Sequence, residues 1–397
     1  MTFPNHGARR IHVVDTTMFW SPTGGGVRRY LRTKHAWLAR QPGWAHTIAV
    51  PLSGGAERDA GRDGIASLPA LPMPGSGGYR LPLRRGAIAA RLVSLAPDLI
   101  EAGDPFALAW AAVDAAHRLQ VPAVAYCHSN IEAMARLLAG PRLAASAGRA
   151  MRAYARRVYA RFDRVLAPSE SMRRHLEDWG VERTSCQPLG VDTRAFDPAR
   201  ASAAWRHRMG YAPASRVLVY VGRFAPEKHL DVLAAAVERL GVPYTLLAIG
   251  AGPKPPSGPR VRVLPYLSDI EALATAIASA DAFVHAGDQE TFGLSVLEAM
   301  ACGTPVVARS AEGLAELVDE SVGIGVPSNE PAAYAEAIAA LFAEDLGPRR
   351  AAARRRAEGY DWERVLPAHL AQYRSLLRLA APVEPGPHRL ATGAARH

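Results

Sequence analysis

The stretch His285-Ala286-Gly287-Asp288-Gln289-Glu290-Thr291-Phe292-Gly293-Leu294-Ser295-Val296-Leu297-Glu298-Ala299-Met300-Ala301-Cys302-Gly303-Thr304-Pro305 decides the reading of the fold. Apolar Ala282-Phe283-Val284 before it and Val306-Val307-Ala308 after it read as buried strands, so the segment runs strand, loop, helix, strand. Gly303 fits the helix C-cap, and Pro305 prevents the helix from continuing. Thr291 to Leu294 then present unpaired backbone N–H groups at a helix N-terminus. Such a terminus binds anions, because its donors are free and the helix dipole points its positive end outward. Glu290 just before the helix and Glu298 two turns along it bracket this point. Both carboxylates can accept hydrogen bonds from hydroxyls. Phosphate donors flanked by hydroxyl acceptors suit a nucleotide-sugar.

Working outward, the chain repeats the same alternation. Ile11 to Val14 reads as a strand, followed by the glycine run Gly24-Gly25-Gly26 and an amphipathic helix from about Val27 to Arg40. The run lets backbone approach a ligand with no Cβ in the way, although a flexible turn would look the same. Leu99 to Ala102, Val121 to Cys127 and Val165 to Ala167 are further strands, with Ser169 or Ser171 able to cap the helix that runs to Trp179. Residues 51–86, rich in Gly, Pro, Ser and Arg, read as loops with one short strand. A second strand-helix series begins at Val217 to Val221, and Ser268 with Glu271 suggests a capping box. The last helix is expected from Tyr360 to Leu379, and the Pro/Gly/Ala-rich remainder is expected to be disordered. Strands alternating with helices predict an α/β protein with parallel sheets covered on both faces.

With 397 residues and 49% apolar composition, the chain is long enough for two domains with full cores. No apolar run reaches about 18 residues, so no membrane span is expected. Polar Met1 to Arg10 leads straight into a strand, which does not resemble a signal peptide. Cys127, Cys186 and Cys302 lack C-x-x-C spacing and have mostly apolar neighbours; reduced thiols in a cytoplasmic protein are expected. The net charge of +10 lies entirely in the first half, since residues 1–190 hold 25 Lys and Arg against 14 Asp and Glu. From Ala133 to Phe162 there are arginines at 136, 142, 149, 152, 156, 157 and 161 and no acid. Such a face could meet an anionic membrane, nucleic acid or an acidic glycan. Arginine that simply solvates helices is the alternative.

Two glutamates at this spacing mean little alone. In full, Glu290-x7-Glu298 enclosing Phe292-Gly293, and continuing through Glu298-Ala299-Met300-Ala301-Cys302-Gly303-Thr304-Pro305-Val306-Val307, resembles the retaining glycosyltransferases of family four. Their fold, GT-B, is two Rossmann-like domains facing across a cleft. The segment Gly190-Val191-Asp192-Thr193-Arg194-Ala195-Phe196-Asp197-Pro198 is similar to the family's crossing between domains. The resemblance thus implies an acceptor domain over 1–192, a nucleotide-sugar domain over 193–359, a helix over 360–380 returning to the first domain, and a tail over 381–397.

The resemblance also distributes roles. Arg223 and Lys228, in Val221-Gly222-Arg223-Phe224-Ala225-Pro226-Glu227-Lys228, match the pair that binds the donor diphosphate, at the carboxyl end of a strand where open α/β sheets hold ligands. Glu290 is expected on the transferred hexose and Glu298 on the ribose, with the amides of Phe292, Gly293 and Leu294 on sugar and phosphate oxygens. Gly25 and Gly26 match the glycine loop beside the diphosphate. His128, ending Ala125-Tyr126-Cys127-His128, matches a histidine near the sugar, where it could bond a hydroxyl or assist proton transfer; an isolated histidine is more often structural. Gly250-Ala251-Gly252-Pro253 resembles the turn near the base, yet Ala251 stands where an acid is frequent, so UDP- and GDP-sugars stay open. No Asp-x-Asp occurs, and enzymes of this fold generally use cations and helix dipoles in place of a metal. Neither metal nor cofactor is therefore expected, the nucleotide-sugar being a co-substrate.

The expected reaction is transfer of a hexose with retention to a lipid or lipid-linked saccharide, by an enzyme in the cytoplasm or on the inner face of its membrane. Oligomeric state is left open. A nucleotide-sugar 2-epimerase shares the fold, but its histidine and acid positions match poorly. A nucleic-acid-binding protein would use the arginine run, but it leaves Arg223, Lys228, Glu290 and Glu298 unexplained, and no nucleic-acid partner is expected.

Overall fold

The computed structural model describes residues 9–20, 25–52, 64–73 and 78–380. The first half contains β1 (Ile11–Thr16), β2 (Trp44–Pro51), β3 (Ile65–Leu68), β4 (Leu71–Pro72), β5 (Arg80–Leu81), β6 (Leu99–Ala102), β7 (Ala123–Tyr126), β8 (Arg164–Ala167) and β9 (Thr184–Cys186). Apart from the small β4–β5 ribbon, these strands form one parallel sheet in the order β3-β2-β1-β6-β7-β8-β9. The second half contains β10 (Arg216–Arg223), β11 (Tyr244–Ala251), β12 (Val261–Leu264), β13 (Ala282–His285), β14 (Val306–Arg309) and β15 (Gly323–Val326). They form a second parallel sheet, β12-β11-β10-β13-β14-β15. In each sheet the strand order reverses beside the first strand, between β1 and β6 and between β10 and β13. Crevices for ligands open at the carboxyl ends of such switch points.

Helices α1 (Gly26–Leu38), α2 (Arg85–Ser94), α3 (Ala107–Leu119), α4 (Ile131–Tyr159) and α5 (Glu170–Asp178) belong to the first half. Those that follow are α6 (Ala203–Arg208), α7 (Leu230–Leu240), α8 (Ile270–Ala278), α9 (Leu294–Ala301), α10 (Glu312–Leu317), α11 (Pro331–Leu341), α12 (Leu346–Glu358) and α13 (Trp362–Ala380). Parallel strands bury both faces, and consecutive side chains alternate between them. Val13 accordingly joins Tyr30, Leu38 and Leu370, while its neighbour Val14 joins Ile88, Leu92 and Leu108. In the second sheet Leu218 packs with Leu233 and Ile338, and Val219 with Ile277 and Met300.

The chain crosses between the halves twice, and the two crossings pair. Val191 N–H donates to Tyr360 O at 2.9 Å and Trp362 N–H to Val191 O at 3.2 Å. α13 then lies on the first half, where Trp37 Nε1 donates to Glu363 at 2.8 Å and Ser185 Oγ to Gln372 at 2.7 Å.

Two local expectations change, and one run gains its structure. Residues 51–86 hold more than one short strand: β3 extends the main sheet and β4 pairs with β5. Asp269, not Ser268, caps α8, accepting from the Glu271 amide at 2.9 Å; an aspartate one residue nearer the helix offers the better-placed acceptor. The arginine-rich run forms the long α4, broken at Gly140, whose φ of 70° precedes Pro141. The expected caps do form at Ser169, which accepts from Met172 N–H, and at Gly303, with φ 65° just past α9. Gly24 and the expected tail over 381–397 lie outside the described residues.

Candidate active site

The deciding stretch folds as its pattern implies. β13 delivers His285 at its carboxyl end, a loop carries Glu290, and α9 starts at Leu294. Gly293 caps the helix in the left-handed region, φ 96°, and a Cβ there would stand 2.4 Å from the Leu314 side chain. Only glycine tolerates both conditions. The amides of Phe292, Gly293 and Leu294 donate to no protein acceptor among the described residues, so the helix start offers free N–H groups.

Glu290 is the electrostatic centre of this loop. Lys228 Nζ, delivered by the turn after β10, bonds its Oε1, and His285 Nε2 approaches the same oxygen at 3.2 Å. Burial opposes the carboxylate's charge, but Lys228 and then His285 outweigh burial and hold Glu290 well below the usual carboxylate range. It is therefore an acceptor at neutral pH. Arg223 sits further out at the rim, its side chain 69% exposed and bonded to Glu227 at 2.9 Å. Gly250 and Gly252 flank Ala251, whose carbonyl accepts from Phe224 N–H at 2.8 Å, so this turn adjoins the Arg223 loop.

The first half closes over these groups. The Cα of Gly26 faces α9 so closely that a Cβ would lie 3.3 Å from Leu294 Cδ2. Gly25, the α1 N-cap, stands beside it. Thr291 Oγ1 donates to the His128 carbonyl at 2.9 Å, bringing the end of β7 against the glutamate loop. The His128 ring stacks on Tyr126 at 4.2 Å and 7°, and burial pulls it down to about 4, so it is a neutral imidazole at pH 7. Glu298, 3% exposed, pairs across the cleft with Arg29 of α1.

Lower down, α10 meets α5. Glu316 accepts from the amides of Glu170 and Ser171, and Glu312 from Ser171 Oγ at 3.0 Å and His175 Nε2 at 2.8 Å. Glu316 thus caps a helix of the opposite half.

Of the twelve residues selected from the sequence, Lys228 bonds Glu290, Gly26 with Gly25 beside it faces Leu294 at the α9 start next to Phe292 and Gly293, the His128 carbonyl meets the glutamate loop, Glu298 pairs with Arg29, and Arg223, Gly250 and Gly252 lie on adjoining loops. Arg29, His285 and Thr291 were not selected. Arg29 follows Gly26 by three residues and so shares its helix face, which was the available signal. His285 was legible as the polar end of an apolar strand. Thr291 carried no signal, because its partner is a backbone carbonyl from the other half. Among the described residues no three His, Cys, Asp or Glu side chains gather as a metal site.

Two parallel-sheet halves with free amides, a buried carboxylate and cations at their facing carboxyl ends define a GT-B nucleotide-sugar enzyme. Residues 24–195 match the model of glycosyltransferase family 4 and residues 215–344 that of glycosyl transferases group 1. A GDP-mannose-dependent α-(1-6)-phosphatidylinositol dimannoside mannosyltransferase of Mycobacterium tuberculosis is 31% identical over 91% of this chain and 95% of its own. The chain belongs to glycosyltransferase family 4 and is a glycosyltransferase that uses a nucleotide-sugar donor. A GDP-mannose-dependent α-mannosyltransferase of Mycolicibacterium smegmatis is 36% identical over 56% of this chain and 58% of its own. Sucrose-phosphate synthase from Thermosynechococcus elongatus shares the fold with TM-score 0.77 at 21% identity, covering 93% of this chain and all of that one. Anabaena HepE in complex with UDP and glucose does so with TM-score 0.69 at 21% identity, over 91% and 99%. The epimerase and nucleic-acid readings find no support among these relatives.

Proposed function

We propose that this enzyme transfers mannose from GDP-mannose, with retention, to a hydroxyl of a phosphatidylinositol-type glycolipid. The observation that carries the reading is the Lys228–Glu290–His285 cluster beside the free amides of Phe292 to Leu294, in a chain akin over nearly its whole length to an enzyme of that description. Glu290, ionised and anchored, accepts from hexose hydroxyls. Lys228, Arg223 and the α9 amides take the charge that grows on the diphosphate as the bond from the anomeric carbon to phosphate oxygen breaks. The acceptor oxygen bonds the anomeric carbon from the same face, its proton passes to the departing phosphate oxygen, and GDP leaves. These cations and the helix start fill the part a divalent metal plays elsewhere. Neutral His128 offers a hydrogen bond to the sugar. Residues 1–192 serve the acceptor and 193–359 the donor, with 360–380 returning to the first.

A lipid acceptor places the enzyme at a membrane surface. No helix among the described residues is long and apolar enough to cross one. Around the α4 break, Leu137, Leu138 and Leu143 are exposed among Arg136, Arg142 and Arg149, a composition suited to an anionic interface.

The test incubates labelled GDP-mannose or UDP-glucose with phosphatidylinositol mannosides in anionic vesicles, with Glu290→Gln in parallel. The expected result is an α-mannoside from GDP-mannose alone, lost in the variant and diminished by Leu138→Asp. Transfer from UDP-glucose alone refutes the donor; transfer only to a water-soluble acceptor refutes the lipid.

A further inference from the structure

Glu298 is the acceptor assigned to the donor ribose, and its Oε1 is ion-paired with Arg29. Arg29 stands one turn into α1, half-buried, with its guanidinium 5.7 Å from the Phe196 ring, which is itself fully buried where the chain passes between the halves. The partner carboxylate is 3% exposed, and an aromatic face lies behind the guanidinium. Burial lowers the tendency of Arg29 to stay charged, and Tyr266 opposes that loss.

We propose that Arg29 is a donor gate: an intramolecular occupant of the ribose subsite that holds the cleft shut until the nucleotide's hydroxyls replace it on Glu298. The proposal rests on Glu298 being the ribose acceptor. Three contacts close this part of the cleft, namely Arg29 on Glu298, Thr291 on the His128 carbonyl, and Gly26 against Leu294. Only the first consumes a group that the donor needs. A ligand that binds the open form has its affinity lowered by the fraction of molecules that are closed, so a latch that favours closure acts as a competitor.

The gate and a merely supporting arginine predict opposite signs. An arginine that only kept Glu298 ionised and oriented would weaken nucleotide binding when removed. A gate strengthens it. The experiment titrates GDP, and UDP in parallel, into wild type, Arg29→Gln, Arg29→Lys and Glu298→Gln by calorimetry, and measures the nucleotide-free radius of gyration by small-angle scattering. The expectation is about tenfold tighter nucleotide binding and a larger radius for Arg29→Gln, with Arg29→Lys between it and wild type. Unchanged or weaker binding by both Arg29 variants overturns the gate. Glu298→Gln should lose affinity; if it binds as wild type does, the ribose assignment falls and the gate with it. Should Arg29→Gln not fold, the Arg29→Lys isotherm decides by the same sign.

Discussion

Lys34→Met is the perturbation that tests the least familiar feature of this molecule. The Lys34 ammonium is buried in the first half, 2.8 and 2.9 Å from the two oxygens of Asp15, 3.0 Å from Glu101 Oε1, 3.1 Å from Tyr30 OH and 2.5 Å from Tyr373 OH. Glu101 accepts in addition from Tyr30, Tyr373 and His369, and Asp15 meets His46 at 3.1 Å. Methionine fills similar space without the charge, leaving two carboxylates, each with side chains 2% exposed, uncompensated except by histidine. Removing one partner of a buried ion pair costs about 3–5 kcal/mol. For a unit of this size each kcal/mol moves the melting temperature by about 2–4 °C, so a drop of roughly 6–20 °C is expected by calorimetry. The pH dependence gives a second check. Burial opposes the Glu101 charge, but Lys34 and His369 outweigh it and hold this carboxyl well below its ordinary value of 4.5. A depressed value contributes stability that is present above the unfolded pKa and lost as pH falls through the folded one. Wild type should thus weaken in acid. The variant's deficit should shrink between pH 7 and 5, because protonating an orphaned carboxylate relieves it. A loss under about 1 kcal/mol, or a deficit that does not change with pH, refutes the reasoning.

Lys228→Ala should lower kcat roughly 10²–10³-fold, as for loss of one preorganised donor at a developing charge; a fall of less than about fivefold would remove Lys228 from the diphosphate. The His175–Glu312 contact between α5 and α10 should make closure pH-sensitive. Its hydrogen bond to Glu312 raises His175 above 6.5, so its contribution is full below 6.5 and is lost as pH rises through the raised value. Small-angle scattering should show a larger radius at pH 9 than at pH 6 for wild type and no such change for His175→Gln. Equal pH dependence in both proteins would assign the effect to another group.

The α/β order, both sheets and the crevice were legible because each rests on local signals: apolar strands, helix caps, and glycine or proline where the chain turns. The Lys34 network was only partly so. Lys34 follows Tyr30 by four residues and precedes Leu38 by four, which puts a cation on the buried stripe of α1, and Glu101 interrupts an otherwise apolar strand. Each was a visible anomaly, but their pairing was not, since β1, β6, α1 and α13 meet only in three dimensions. Likewise Glu312 lies in the left-handed region at φ 51°, a conformation that a sequence shows only when glycine occupies it. His128 was legible as a strand end. Its depressed basicity depends on Tyr126 and Tyr30 packed around it.

The network also determines where the molecule can bend. α13 continues directly from the second half, yet His369 and Tyr373 bind Glu101 of the first through buried hydrogen bonds. An orphaned buried polar group costs about 1–3 kcal/mol, so α13 moves with the first half. The contacts across the cleft are of a different kind: Arg29, Glu312 and Glu316 make ionic or capping contacts that water can replace as the cleft opens. The two crossings of the chain pair where Val191 meets Tyr360 and Trp362, and relative motion of the two parts would concentrate there. Gly190 lies at that crossing against the Trp362 ring, where an added Cβ would come within 2.6 Å. A bulkier residue there would separate the paired crossings and shift the axis about which the donor cleft closes, without touching any group that contacts the sugar.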